Sequence, residues 1–217
     1  MDYQFPPEIT AKLAELDSFI ESEIKPLERE NMKFFDHRRE HARTDWENDG
    51  FPRAEWHDLI AEMERRADLA GHLRYGLPKA CGGQAAPNLA IAAIREHLAA
   101  KGLGLHNDLQ DESSIVGNFP IVPVLNAYGT TEQKRYIEGI IKRDRHLSFA
   151  LTEPNHGSDA TWLETTAVRS GGDWIINGQK IWTSGAHYSD MAILVTRTDA
   201  TVPKHKGLTM FFLSMKT

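Results

Sequence analysis

The sequence predicts an α+β fold in which an N-terminal α-helical domain precedes an antiparallel β-barrel-like domain. Apolar residues recur at helical spacing in the first part of the chain, whereas from His146 onward they follow the two-residue alternation of strands. Helices followed by a run of strands favour two separate domains. We therefore place the border after residue 147, with residues 1–147 helical and residues 148–217 forming an incomplete β domain.

Two amphipathic helices are predicted first. The inward face of the first helix consists of Ile9, Leu13, Leu16, Phe19 and Ile24. Pro26 is expected to end this helix, because proline lacks a backbone N–H. Pro52 is expected to open the second helix, and Gly71 is expected to stop it. The inward face of the second helix consists of Trp56, Leu59, Ile60, Met63 and Ala67.

Two further helices follow a loop rich in glycine and proline. The third helix runs from about Asn88 to Lys101, and its apolar residues are Leu89, Ile91, Ile94 and Leu98. Thr131 is predicted to cap a fourth helix, TEQKRYIEGIIKRD, since threonine is a favoured N-cap. The inward residues of the fourth helix are Tyr136, Ile137, Ile140 and Ile141. The sequence between the third and fourth helices predicts no element.

Five strand-like segments follow, and two turn signals lie among them. The strands are predicted within HLSFAL, WLETTAVR, the segment leading to Asn177, MAILVTRT and LTMFFLS. Gly171-Gly172 predicts one hairpin turn, and Asn177-Gly178 predicts a second turn of type I′. The last strand is strongly apolar and ends three residues before Thr217. Its unpaired edge is expected either to be covered by another chain or to belong to a longer protein.

Bulk composition excludes several function classes. The net charge of −6 gives no basic face for nucleic acid. No apolar run approaches the roughly 20 residues of a membrane helix, and the N-terminus lacks the features of a signal peptide. Cys81 is the single cysteine, so an internal disulfide is impossible. We predict a cytoplasmic protein without a membrane span, a nucleic-acid partner or a metal.

Several short motifs have a simpler explanation than catalysis. The segment HRREH, residues 37–41, matches a zinc-protease spelling but lies in a strongly charged surrounding typical of a solvated face. His106, Asn107 and Asp108 form a polar cluster without an identifiable partner, for which loop hydrogen bonding is the expected role. Glu153 lies in a Thr-Glu-Pro turn, where local backbone hydrogen bonding is expected rather than general-base chemistry.

The segment TEPNHGSD, residues 152–159, is the first part of a candidate ligand site. Pro154 fixes one backbone angle and Gly157 permits unusual ones, so the segment is expected to fold tightly and turn N–H groups outward. Ser158 would lie beside those amides, where a phosphate oxygen fits. The backbone of Leu151 and the hydroxyl of Thr152 would meet the polar edge of a flat heterocycle.

The segment INGQKIWTSGAH is the second part of the candidate site. The turn at Asn177-Gly178 is expected to leave Trp182 near the end of a returning strand. Its indole provides a flat wall, and the hydroxyls of Thr183 and Ser184 can donate to ring nitrogen or oxygen atoms. A core position is the alternative for Trp182 taken alone. Its pairing with the first segment favours a binding role.

These residues resemble a known family. LTEPNHGSD together with ETTAVRSGGDWIINGQKIWTSGAHYSD is similar to the central-domain signature of the acyl-CoA dehydrogenase family. YGLPKACGGQAAPNLAIAAIREHLA resembles the loop and helix of that family's N-terminal domain. The resemblance extends over most of the chain from about residue 50. One departure is His156, where small residues are common, and it is expected to narrow the approach to the phosphates.

The resemblance implies a helical domain, a β-barrel-like domain and a C-terminal helical bundle, with FAD between them. It implies that the chain ends before that bundle. The cofactor-binding residues that it implies are Phe149, Leu151, Thr152, Gly157, Ser158, Trp182, Thr183 and Ser184. Ser158 would also touch the acyl-CoA, and the Ser184 hydroxyl would lie near the redox-active nitrogen of the flavin.

The implied activity is α,β-dehydrogenation of an acyl-CoA thioester, an oxidoreductase reaction of fatty acid metabolism. The family's proton acceptor is usually a glutamate in the C-terminal bundle, so no catalytic residue is assigned here, and the chain alone is expected to be inactive. The implied partners are the acyl-CoA substrate, an electron-transfer flavoprotein and further copies of the full-length chain. A flavin oxidase or monooxygenase of the same fold, nitroalkane-oxidase-like, and a non-catalytic truncated binding module remain alternatives.

Overall fold

The computed structural model describes residues 4–108 and 113–216. The chain divides into two compact units, Met1–Lys142 and Arg143–Thr217, and this division lies close to the border predicted after residue 147. Helices dominate the first unit and strands the second. The predicted α+β class is therefore confirmed. In these ranges no helix combines the length and the apolarity that crossing a membrane requires.

The first unit contains eight α-helices and two very short strand pairs within its described residues. The helices are α1 (Pro7–Phe19), α2 (Lys25–Glu30), α3 (Arg39–Arg43), α4 (Ala54–Leu69), α5 (Asn88–Ala100), α6 (Ile121–Tyr128), α7 (Thr131–Lys134) and α8 (Ile137–Ile141). The strands are β1 (Thr44–Asp45), β2 (Phe51–Pro52), β3 (Asn107–Asp108) and β4 (Ser113–Ser114). All five residues predicted to face inward on α4 are buried, which confirms its amphipathic pattern.

Pro26 does not end the first helix, contrary to the prediction. A π-helical turn, Ile20–Ile24, joins α1 to α2, and the helical run continues through Pro26 to Glu30. A proline inside a regular α-helix removes one hydrogen bond and clashes with the carbonyl four residues earlier. The wider turn immediately before Pro26 changes the hydrogen-bond spacing at that point. The helix can therefore contain the proline.

Three other boundaries differ from the sequence predictions. Pro52 lies in β2, and α4 begins at Ala54. The cap of α7 is Thr130 rather than Thr131: its hydroxyl accepts from the backbone N–H of Gln133, whose side chain accepts from the Thr130 backbone N–H. This reciprocal pair is a capping box. The predicted fourth helix is interrupted between α7 and α8, and α6 was not predicted.

A buried ion pair includes Asp108, the last residue of the polar cluster in the helical unit. Asp108 Oδ2 lies 2.7 Å from Nη1 of Arg43, and both side chains are largely buried. The Arg43 guanidinium also lies over the ring of Trp56 at 4.1 Å. Asp108 therefore has a long-range partner that the sequence did not reveal. His37 precedes α3 and is exposed, so the two histidines of HRREH do not share a helix.

The second unit is built on a five-stranded sheet. Its strands are β5 (Leu147–Ala150), β6 (Thr166–Ser170), β7 (Asp173–Asn177), β8 (Met191–Arg197) and β9 (Leu208–Ser214). β6 and β7 form the hairpin predicted at Gly171-Gly172, with Ser170 opposite Asp173. β8 is the most buried strand of this sheet, and it pairs along its full length with β9.

The sheet is mixed and open rather than antiparallel and barrel-like. β5 pairs with β8 in parallel. β6 also pairs with β8 in parallel, with Thr166 opposite Arg197. Parallel pairing needs a long crossover connection, and the chain between β5 and β8 supplies it. Among the described strands, β7 pairs only with β6, and β9 pairs only with β8. Both therefore have an open edge, as predicted for the last strand.

Candidate functional site

The segment that follows β5 folds into a tight bend. The backbone N–H of Glu153 donates to the carbonyl oxygen of His156 at 3.0 Å, and the N–H of His156 donates to the carbonyl oxygen of Glu153 at 3.2 Å. Pro154 and Asn155 occupy the turn between them. The tight fold expected from Pro154 is confirmed. Gly157, which follows, is exposed, and nothing lies within 4 Å of the place where a Cβ would be.

The carboxylate of Glu153 stabilises this bend from inside. One oxygen accepts from the backbone N–H of Glu164 at 2.6 Å, and the other accepts from the N–H of Thr165 at 2.9 Å and from Nζ of Lys180 at 2.8 Å. Burial by itself raises the pKa of Glu153, but the hydrogen bonds from Lys180, Thr165 and Glu164 outweigh it and lower the pKa to about 2. Glu153 thus accepts backbone hydrogen bonds as expected, but from Glu164 and Thr165 rather than from its own turn.

The two segments of the candidate site meet. The backbone N–H of Ile181 donates to the carbonyl oxygen of Thr152 at 2.9 Å. Lys180 donates to the carbonyl oxygen of Leu151 at 2.9 Å in addition to its bond with Glu153. Three hydrogen bonds therefore fix the chain just before Trp182 against the bend.

The predicted type I′ turn at Asn177-Gly178 is wrong. Gly178 has φ +152°, Asn177 has no positive φ, and no strand follows between residues 179 and 183. A Cβ on Gly178 would lie 2.6 Å from the Cα of Thr165, so the chain passes close to that residue. Residues 180 and 181 form hydrogen bonds with the bend instead of returning beside β7. Tertiary contacts thus replace the local hairpin that the Asn-Gly pair favours.

Trp182 is an exposed residue rather than a core residue. Its side chain is 84% exposed, although it directly follows a residue that is fixed to the bend. Its φ is +56°, in the left-handed region that non-glycine residues rarely adopt. Such a conformation costs about 1–3 kcal/mol and is found mainly at functional sites. The structure therefore holds an exposed indole in a strained conformation.

Three hydroxyl groups of the two segments belong to Thr183, Ser158 and Ser184. The Oγ1 of Thr183 is shielded from solvent and has no hydrogen-bond partner among the described residues. Ser158 and Ser184 are exposed. Buried polar atoms normally find a partner, so an orphaned hydroxyl beside an exposed indole suits a polar heterocycle. This combination fits a flavin ring.

The remaining predicted residues lie nearby along the chain. Phe149 is in β5 opposite Ile193, and its ring is 52% exposed. Leu151 and Thr152 are half-buried, and their carbonyl oxygens are already occupied by Lys180 and Ile181. Ligand contacts from these two residues therefore have to use other atoms. The Thr152 hydroxyl is one of them.

His156 turns toward its own loop. Its ring stacks on Trp162 with centroids 4.9 Å apart and planes inclined by 17°. Its Nε2 lies 3.5 Å from a carboxylate oxygen of Glu164. The imidazole thus packs against Trp162, while its Nε2 has no hydrogen-bond partner among the described residues. The predicted narrowing of the phosphate approach by His156 stays a prediction.

Residues 148–217 match the acyl-CoA dehydrogenase middle domain. This match includes the bend, the hairpin and the Trp182 segment. This part of the chain belongs to the acyl-CoA dehydrogenase family. Membership of this family supports FAD as the cofactor. The exposed indole and the Thr183 hydroxyl, which has no partner among the described residues, are groups that a flavin ring would use.

The chain is also similar to individual proteins over longer stretches. The chain is 33% identical over 162 residues to acyl-CoA dehydrogenase FadE26 of Mycobacterium tuberculosis, which covers 73% of this chain and 38% of the relative. It is 33% identical over 212 residues to a 3-(aryl)acrylate reductase of Clostridium sporogenes, and this alignment covers 96% of this chain and 48% of the reductase. A chain in the crystal structure of the ChsE4-ChsE5 complex of Mycobacterium tuberculosis has a similar structure, with a TM-score of 0.66 and 28% sequence identity. The match covers 100% of this chain and 49% of that chain. The chain thus spans about half or less of the length of these proteins.

Two cations that connect distant segments of the sheet unit were missed by sequence reasoning. Lys180 is a single cation between a turn and an aromatic residue, and nothing nearby in the sequence identifies Glu153 as its partner. Arg197 at the end of β8 donates to the carbonyl oxygens of Leu163 at 3.1 Å and Thr161 at 2.7 Å. Both side chains bond to segments far away in the sequence. No local pattern could have found them.

Proposed function

We propose that this chain is the N-terminal and central part of an FAD-dependent acyl-CoA dehydrogenase. The reaction would remove the α-proton and the β-hydride of an acyl-CoA thioester and leave an α,β-double bond. The observation that carries the proposal is the hydrogen bond from Ile181 to Thr152, which brings the Trp182 segment against the Thr152–Ser158 bend. Membership of the acyl-CoA dehydrogenase family supports it.

The residues of the two segments would bind different parts of the cofactor. Trp182 would cover one face of the isoalloxazine, and the hydroxyls of Thr183 and Ser184 would donate to its ring atoms. The Thr152 hydroxyl would meet the polar edge of the ring. The exposed backbone around Gly157 and the hydroxyl of Ser158 would bind the pyrophosphate, and Ser158 would also touch the acyl-CoA. Phe149 and Leu151 would complete the lining.

The bound flavin would accept the hydride from the β-carbon. The residues of this chain would orient the ring, exclude water from one face and hold its polar edge, which strengthens every hydrogen bond in the site. No residue of the chain is assigned as the base that takes the α-proton. Glu153 is unsuited to that role, since it is buried and occupied by three donors.

A flavin titration tests the proposal. FAD is added to the purified 217-residue chain, and the fluorescence and visible absorbance of the flavin are recorded. We expect quenching of the fluorescence by the Trp182 indole and co-elution of yellow colour with the protein on gel filtration. A colourless protein that leaves free FAD unquenched would contradict the proposal and favour a non-catalytic module.

The electron acceptor is tested after reconstitution. Bleaching of bound flavin by assorted acyl-CoAs, with slow reoxidation by air, is the expected behaviour of a dehydrogenase that passes electrons to an electron-transfer flavoprotein. Rapid reoxidation by oxygen would indicate a flavin oxidase or monooxygenase instead. Association of the full-length protein into oligomers and a cytoplasmic location also belong to the proposal.

Reduction of a double bond is a second candidate activity. It is favoured by one observation, the 33% identity over 212 residues to a 3-(aryl)acrylate reductase. That protein's name indicates reduction of the α,β-bond that a dehydrogenase forms. The two activities are distinguished by whether acyl-CoAs bleach the oxidised flavin or arylacrylates reoxidise the reduced flavin.

A further inference from the structure

The Glu153–Lys180 pair is one of the most buried ion pairs in the described part of the chain. Its N–O distance is 2.8 Å, and the side chains are 8% exposed for Lys180 and 1% exposed for Glu153. Removing two charges from water is unfavourable unless their geometry and further hydrogen bonds compensate. Here they do, because Glu153 accepts two backbone N–H groups and Lys180 donates to the Leu151 carbonyl.

The pair joins two segments that are 27 residues apart. On one side, Glu153 lies within the bend that carries Ser158. On the other side, Lys180 is two residues before Trp182, and the residue between them forms the bond from Ile181 to Thr152. A displacement of Lys180 would therefore move the indole relative to the bend. The pair has the geometry of a spacer between the two halves of the site.

No other contact of the pair suggests chemistry at a substrate. Both Glu153 oxygens are occupied, and Lys180 is held by a carboxylate and a carbonyl oxygen. Neither residue is exposed to a ligand as Trp182 and Ser158 are. The pair can influence the site only through the segments that it joins.

We propose that Glu153 and Lys180 are positioning residues, whose buried pair sets the spacing between the Thr152–Ser158 bend and the Trp182 wall and thereby the affinity for flavin. The effect on flavin rests on the proposed function, whereas the effect on spacing does not. The two are measured separately. Amide hydrogen exchange at Ile181 reports the spacing, and the dissociation constant of FAD reports the consequence.

The first variant is Lys180→Met, which keeps the length of the side chain and removes its charge. We expect Ile181 exchange to become about tenfold faster and FAD binding to weaken by about tenfold or more, since an unpaired buried Glu153 carboxylate disrupts the bend. Glu153→Gln is the milder variant. It keeps an oxygen for Lys180 and is expected to shift both measurements in the same direction by a smaller factor.

Lys12→Met is the matched control. The Lys12 side chain is 9% exposed, and its Nζ lies 2.9 Å from Nδ1 of His72 in the helical unit. It makes the same chemical change at similar burial, away from the site residues along the chain. We expect it to lower global stability without changing Ile181 exchange or flavin binding. Lys180→Arg restores the charge and is expected to recover part of both signals.

The outcomes separate the two ideas. If the unaltered chain binds no FAD while Lys180→Met still accelerates Ile181 exchange, the proposed function fails and the positioning role holds. If Lys180→Met does not fold, Glu153→Gln and Lys180→Arg decide the question. Unchanged Ile181 exchange in the folded variants, or an equal change in Lys12→Met, would overturn the positioning role.

Discussion

The backbone N–H of Ile181 donates to the carbonyl oxygen of Thr152 at 2.9 Å, one residue before an exposed tryptophan. This bond connects the bend after β5 to the segment after β7, although no strand pairs there. The indole that follows it is exposed in a strained backbone conformation. The packing of the sheet unit thus leaves Trp182 exposed, and its proposed role in flavin binding can be tested by substitution.

Trp182→Ala is expected to weaken FAD binding by about tenfold, because stacking between aromatic systems contributes about 1 kcal/mol or more. Its effect on the free energy of unfolding should stay within about 0.5 kcal/mol, since the side chain is exposed. Trp182→Gly should be more stable than Trp182→Ala by about 1 kcal/mol, because glycine adopts φ +56° without strain. Equal flavin affinities for the parent and both variants would contradict a wall at this position. Titration and chemical denaturation provide the two measurements.

Gly178→Ala should destabilise the sheet unit by about 2 kcal/mol or more, because the new Cβ would clash with Thr165 at an unfavourable φ. Gly172→Ala is the control, since it adds a methyl group to open space without a positive φ. Its cost should be below about 1 kcal/mol. Urea denaturation of both variants, followed by circular dichroism, tests the difference. Similar midpoints would show that the chain does not pass Thr165 as closely as described.

Breaking the Arg43–Asp108 pair should be costly on either side. Arg43→Met and Asp108→Asn each leave one buried group without its charge partner, so each should lower the free energy of unfolding by about 3–5 kcal/mol. The double variant should lose much less than the sum of the two. A double-mutant cycle by urea denaturation measures this coupling. Additive losses would mean that the two side chains do not interact.

The helical unit should lose stability in mild acid through His72. Burial first, and then the nearby Lys12 charge, lower the pKa of His72 to about 4 from its usual value of 6.5. Because the folded protein binds this proton more weakly than the unfolded chain does, stability is complete above pH 6.5 and falls as the pH decreases toward 4. The loss attributable to His72 is at most roughly 3 kcal/mol.

His72→Asn provides the comparison. Asparagine offers an acceptor near the position of Nδ1 for Lys12 but does not titrate in this range. Melting temperatures of the two proteins between pH 4 and 7 should therefore converge as the pH falls. Parallel curves would show that His72 does not account for the acid sensitivity.

Local patterns in the sequence predicted most of the regular elements. The inward face of α4, the hairpin at Gly171-Gly172 and strands β5, β8 and β9 all follow from periodicity and turn residues. The bend at residues 152–159 and the resemblance to the acyl-CoA dehydrogenase family were also readable from consecutive residues. These features depend on neighbours within a few positions, which a sequence displays directly.

Contacts between distant residues decided the rest. Two contacts join parts of the chain that lie far apart in sequence: the parallel pairing of β5 with β8 and the Glu153–Lys180 pair. The turn predicted at Asn177-Gly178 is absent because the residues after it bind the distant bend instead. The continuation of the first helix through Pro26 likewise depends on a π turn that hydrophobic spacing does not indicate. The sequence alone determined which residues could form a flavin site, because their chemistry is local. Only the tertiary structure determined how those residues are held together, because burial and hydrogen bonding act between atoms that meet after folding.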